Sequence, residues 1–86
     1  MPNKTVTVRY ANNAIDQMSV LVFKRRKRRR HGKIQRVVTV DKDGVSGNCV
    51  ATVEVPNVGG NSVVMLKILG IKKANGQVLS LYTRKV

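Results

Sequence analysis

The sequence predicts an all-β fold, a small single-domain β-sandwich or barrel of about six strands carrying a long basic hairpin arm. Three observations lead there: period-two alternation of apolar and polar residues through most of the chain, short Gly, Asn and Asp turns between the alternating segments, and one unbroken run of cations in the middle of the pattern. Eighty-six residues form one core, because a chain this short buries only a little more than ~60% of its unfolded surface. The whole chain, 1–86, is therefore expected to be one β domain, with 24–33 a basic arm or loop.

The elements follow in order. In Thr5 to Tyr10, Val6, Val8 and Tyr10 share one face and Thr5, Thr7 and Arg9 the other, the pattern of a half-buried strand. Asn12 to Met18 places Ala14, Ile15 and Met18 at helical spacing, but seven residues are marginal without tertiary support and are read as a turn or a single helical turn. Ser19 to Phe23 is a short apolar run suited to burial on both sides. Ile34 to Val40 places Ile34, Val38 and Val40 on one face, with Arg36 the odd member. Asp41-Lys42-Asp43-Gly44 supplies turn chemistry. Asn48 to Val55 alternates with Cys49, Ala51, Val53 and Val55 inward, and Pro56, lacking an amide hydrogen, ends it. Gly59-Gly60-Asn61 breaks the chain before Ser62 to Lys72. Ala74-Asn75-Gly76 then joins that segment to Val78 to Thr83, and Asn-Gly between apolar runs is a strong hairpin signal.

Charge is the most informative property. Seventeen Lys plus Arg against four acids give a formal net charge of +13 while 42% of residues are apolar, so the chain is a folded protein suited to a polyanion. The segment from Lys24 to Lys33 (Lys24, Arg25, Arg26, Lys27, Arg28, Arg29, Arg30, His31, Gly32, Lys33) holds eight of the formal positive charges; thirteen less eight leaves +5. Arginine dominates it, and the planar guanidinium can donate two hydrogen bonds to one phosphate where lysine offers a point charge. Folded as a ribbon turning near His31-Gly32, the arm would reach about 15 Å. The run has no Asn, Gln or Thr to diversify base contacts, which points to phosphate binding without sequence preference. Cross-strand like charges would leave the free arm frayed, and a polyanion would remove that cost.

The candidate nucleic-acid-binding residues are accordingly Lys24, Arg25, Arg26, Lys27, Arg28, Arg29, Arg30, His31, Lys33 and Arg36. Arg9, Lys67, Lys72, Lys73, Arg84 and Lys85 would extend the field if the fold gathers them on one side. Phe23, next to the run, suits the core better than a base-stacking role, and Tyr10 and Tyr82 read as core or rim.

Other chemistry finds little support. Cys49 has no partner thiol for a disulfide or a zinc pair and behaves as a small buried hydrophobe. Asp41, Asp43 and Gly44 match only part of a calcium loop, without its closing glutamate. His31 lacks a nucleophile and an orienting acid nearby in sequence, and the four carboxylates form no close pair. No catalytic residue, metal ligand or cofactor is expected, and the protein is not read as an enzyme. The alternating amino terminus argues against a signal peptide, and the apolar stretch Val63 to Ile71 is too short for a membrane-spanning helix.

The expected function is sequence-independent nucleic-acid binding through an arginine-rich β-arm, as in a nucleoid, ribonucleoprotein or virion component. The alternative is a viral capsid or other self-assembling subunit whose basic arm faces a packaged genome, with Leu21, Phe23, Leu66, Ile68, Leu79 and Leu81 making subunit contacts. The expected partners are RNA or DNA phosphates, with homo-oligomers allowed and no membrane. The expected location is intracellular or virion-internal, and nuclear in a eukaryotic host.

Overall fold

The computed structural model describes residues 3–11 and 14–86. Asn12 and Asn13, part of the segment read as a turn, lie outside the described residues, and Gln17 and Met18 of the same segment begin a strand. Among the described residues there are six strands and no helix: β1 (Lys4–Ala11), β2 (Gln17–Arg26), β3 (Gly32–Asp41), β4 (Asn48–Val55), β5 (Ser62–Lys72) and β6 (Gln77–Lys85). They form two antiparallel sheets, a pair β1-β4 and a four-stranded sheet in the order β3-β2-β5-β6. The sheets do not join, so the sandwich form of the expected fold holds and the barrel form does not.

Alternation explains which faces meet. Val6 and Val8 of β1 and Cys49, Ala51, Val53 and Val55 of β4 turn toward the larger sheet, which presents Met18, Val20 and Val22 of β2 and Val64, Leu66 and Ile68 of β5. Met18, Val20, Val22, Leu66 and Ile68 have no accessible surface, and burying one such side chain contributes about 1.5–3 kcal/mol. Val38, Val40, Leu79 and Leu81 extend the core under the edges. β4 lies over β2 and β3, where Arg36 and Glu54 form an ion pair at 3.5 Å. The Tyr10 and Tyr82 rings, with centroids 6.1 Å apart, stack where β1 faces β6, so the two tyrosines form a rim contact between the sheets.

Two sequence readings of faces are corrected. The register of β2 against β3 shifts after Val22: Val22 pairs with Arg36 and Phe23 with Ile34, which leaves Gln35 as a bulge. One extra residue reverses the side on which later side chains emerge. Ile34 is therefore on the outer face beside Phe23, 55% exposed, and does not share the inward face of Val38 and Val40. The second correction concerns Leu66 and Ile68, expected at subunit contacts: both are fully buried, and Leu79 and Leu81 also pack on the core. Only Leu21 and Phe23 of that group lie outside, half-buried, so β2 is not covered on both sides.

A close approach fixes one backbone position. Gly70 is buried in β5, paired with Met18 on one side and Leu79 on the other, and Ile15 lies directly over it. A Cβ at Gly70 would come within 2.6 Å of Ile15 Cγ2 and 3.3 Å of Leu81 Cδ1. Gly70→Ala is expected to lower stability by about 1–3 kcal/mol through overpacking. Gly44→Ala, where nothing lies within 4 Å, should change stability by less than about 0.5 kcal/mol. Urea unfolding of the two variants checks the contrast.

Candidate nucleic-acid interface

The topology brings the end of β2, the start of β3, the start of β1, the start of β5 and the end of β6 to one end of the sandwich. The basic run occupies that end. Lys24 and Lys33 are cross-strand partners, as are Arg25 and Gly32. β5 flanks β2 to its last residue, pairing Arg25 with Val63 and Arg26 with Ser62. β2 is thus paired on both edges as far as Arg25 and along β5 to Arg26, and the segment beyond the sheet is Lys27 to His31, shorter than the free ribbon expected from sequence.

Local hydrogen bonds shape that turn. The Arg29 amide donates to the Arg26 carbonyl at 3.0 Å, and the Lys27 amide donates across to the Asn61 carbonyl at 3.0 Å. Arg25 folds over the turn, its Nη1 within 3.3–3.4 Å of the carbonyls of Arg26, Lys27 and Arg29. These contacts place carbonyl dipoles against one cation in a region otherwise crowded with positive charge. Gly32 closes the hairpin because a Cβ there would collide with the Lys24 carbonyl and the Arg25 side chain.

The predicted residues divide by role. Lys24, Arg26, Lys27, Arg28, Arg29, Arg30, His31 and Lys33 are exposed together at this end. Arg25 is half-buried and engaged with the turn, and Arg36 is engaged with Glu54. Three shallow concavities open here. Arg26 to Arg29 with Gly60 and Asn61 line one; Lys24, Arg29, His31 and Lys33 with Ser62 are among the residues of the second; Lys4, Lys27 and Lys85 border the third, at the mouth between the sheets.

Lys4 was not among the residues the sequence singled out. It lies twenty positions from the run, and only the pairing of β1 with β4 brings it to this end. Lys85 joins for a similar reason, through β6 beside β5. Ten of the seventeen Lys and Arg residues therefore collect at one end. Lys72 and Lys73 do not, and Arg9 and Lys67 lie on outer sheet faces.

Comparison with protein-family models, curated proteins and solved structures found no match to this chain.

The opposite end holds three of the four acids. Asp16 lies 3.8 Å from Lys42 Nζ and accepts the Lys73 amide at 2.9 Å. Asp41 accepts from Gln17 Nε2 at 2.8 Å and pairs with Lys73 Nζ at 3.2 Å, and these contacts, the Gln17 bond foremost, hold its carboxyl below the usual carboxylate range. Asp43 is lowered chiefly by the Val45 amide and then by the Ser46 hydroxyl, both bonded to it in the β3–β4 turn. Asp43 is thus a turn residue, and among the described residues no three His, Cys, Asp or Glu side chains could hold a metal ion together. Cys49 is buried on the inner face, where desolvation pushes its thiol upward and away from reactivity.

The folded-state values of Asp41 and Asp43 lie below their unfolded values, so their contribution is complete above the ordinary carboxylate range and is lost as pH falls through the folded values. An Asp41→Asn, Asp43→Asn double variant should melt below the wild type above about pH 4. The two melting curves should converge toward pH 2. Thermal melts by circular dichroism across this range test it; an offset that stays constant down to pH 2 contradicts it.

Proposed function

We propose that the protein binds nucleic acid without sequence preference, through the cations gathered at one end of the sandwich. The observation that carries this reading is the asymmetry of charge. Eight exposed basic or histidine side chains from the β2–β3 hairpin stand with Lys4 and Lys85 at one end, while Asp16, Asp41 and Asp43 lie at the other with Lys42 and Lys73 beside them. Such a field attracts a polyanion and orients it onto one end. The exposed guanidinium groups of Arg26, Arg28, Arg29 and Arg30 contact phosphates, with Lys24, Lys27 and Lys33 adding charge. Arg25 shapes the turn that presents them.

A nucleoid, ribonucleoprotein or virion component would use this chemistry. The second reading, a self-assembling coat subunit with its basic end toward a packaged genome, draws on the exposed Ile34, Val37 and Val78 and predicts a large regular oligomer. Sedimentation of the protein without nucleic acid separates the two.

Binding to a labelled sequence-random duplex should weaken about 10³- to 10⁴-fold between 50 and 200 mM salt, a slope of roughly −6 for about seven phosphate contacts. Replacing Arg28 and Arg29 by Gln should reduce the slope by about two. Lys72→Gln with Lys73→Gln removes the same charge from the far end and should leave the slope nearly unchanged. Equal losses from the two double variants would mean that net charge acts without a site.

A further inference from the structure

The outer face of the four-stranded sheet is apolar where it meets the basic end. Phe23 lies in a cross-strand row with Ile34 on β3, Met65 on β5 and Lys85 on β6. It points away from Val22, which has no accessible surface, and has no part in the core. Arg25 follows two residues along the same strand, about 7 Å away on the same face. Lys67, paired with Leu21 in the next row, is exposed. The first carboxylate on this face is Asp41, at the far end of β3 and already paired with Lys73.

The outer face of the smaller sheet is unlike it, carrying Thr5, Thr7, Arg9, Thr52 and Glu54 along with only Ala11 and Val50 as apolar residues. An apolar surface bordered by cations and leading into an arginine turn suits a ligand with alternating flat apolar and anionic parts. A single-stranded nucleic acid has that chemistry: bases stack on an aromatic ring while the backbone follows a basic track. A second copy of this chain fits less well, since each copy brings +13 and another Lys67.

We propose that the protein prefers single-stranded over double-stranded nucleic acid, and that Phe23 is the platform on which an unpaired base stacks while its backbone runs onto the arginine turn. This rests on the proposed nucleic-acid binding and specifies its substrate. A duplex keeps its bases stacked within the helix and engages the basic end alone. Ile34 and Met65 flank the base, and Lys85 and Lys67 hold neighbouring phosphates.

The chain contains no tryptophan, so Phe23→Trp provides a single emission reporter. It is titrated with oligo(dT) and with a duplex of equal length, while labelled-oligonucleotide anisotropy records total binding. Oligo(dT) should quench the emission with the midpoint seen by anisotropy, and the duplex should bind with little quenching. Phe23→Ala and Phe23→Leu should weaken oligo(dT) binding about 5- to 100-fold and duplex binding by no more than about twofold. Since Phe23 is outside the core, Phe23→Leu keeps the sheet's apolar cover and tests the ring without the fold.

Oligo(dT) binding with unchanged emission, and with equal affinity in the Leu variant, overturns the Phe23 inference and leaves binding at the basic end intact. Absence of binding to both polymers by anisotropy overturns the underlying functional reading as well. Emission that shifts with protein concentration alone, accompanied by a doubled mass in sedimentation, assigns the face to a second copy and overturns the proposal.

Discussion

The structure depends on the pairing of β2 along both of its edges. β2 is one strand with two chemistries: Met18, Val20 and Val22 anchor it in the core, and two to four residues past Val22 the same backbone carries Lys24, Arg25 and Arg26. β3 on one side and β5 on the other fix its register from Gln17 onward. A one-residue slip would move the three buried residues to solvent and bring Ser19, Leu21 and Phe23 inward. The register that buries the core thus also determines where the arginine turn stands and which way Phe23 faces.

Holding that many cations together has a cost, and the fold distributes it. Lys24 faces Lys33 across the strands, a like-charge pair that costs up to about 1 kcal/mol. The flanking β5 backbone, the Lys27 to Asn61 bond and the carbonyls around Arg25 oppose fraying of the hairpin. At the other end, carboxylates and lysines are matched at short range, so little net field arises there. The molecule is polarised along its strands, and the unbalanced end carries the repulsion that a bound polyanion would relieve.

Much of the fold was legible in the sequence because alternation is a local signal. Asn48–Val55 and Ser62–Lys72 fall where the pattern puts them, since Pro56, the Gly59-Gly60-Asn61 break and the Asn75-Gly76 turn bound them on the spot. Ile34 was misread because a bulge at Gln35 leaves no compositional mark; it exists only in the pairing of two strands. Leu66 and Ile68 show the same limit, for β5 reads as apolar on both faces and only the second sheet decides which is covered. The arginine run is evident in one dimension. Lys4 and Lys85 are not, because antiparallel topology rather than sequence distance places them beside Lys27.

The proposed binding of nucleic acid would be confined to one end of the sandwich and the sheet face next to it. Amide chemical-shift mapping of the full chain during titration with a short oligonucleotide tests this most directly. Saturable shifts should cluster in Lys24 to Lys33, at Gly60 to Ser62, and at Lys4 and Lys85, with Asp41 to Gly47 and Lys72 to Gly76 unmoved. Shifts spread evenly over both ends, or concentrated around Lys72 and Lys73, would contradict it.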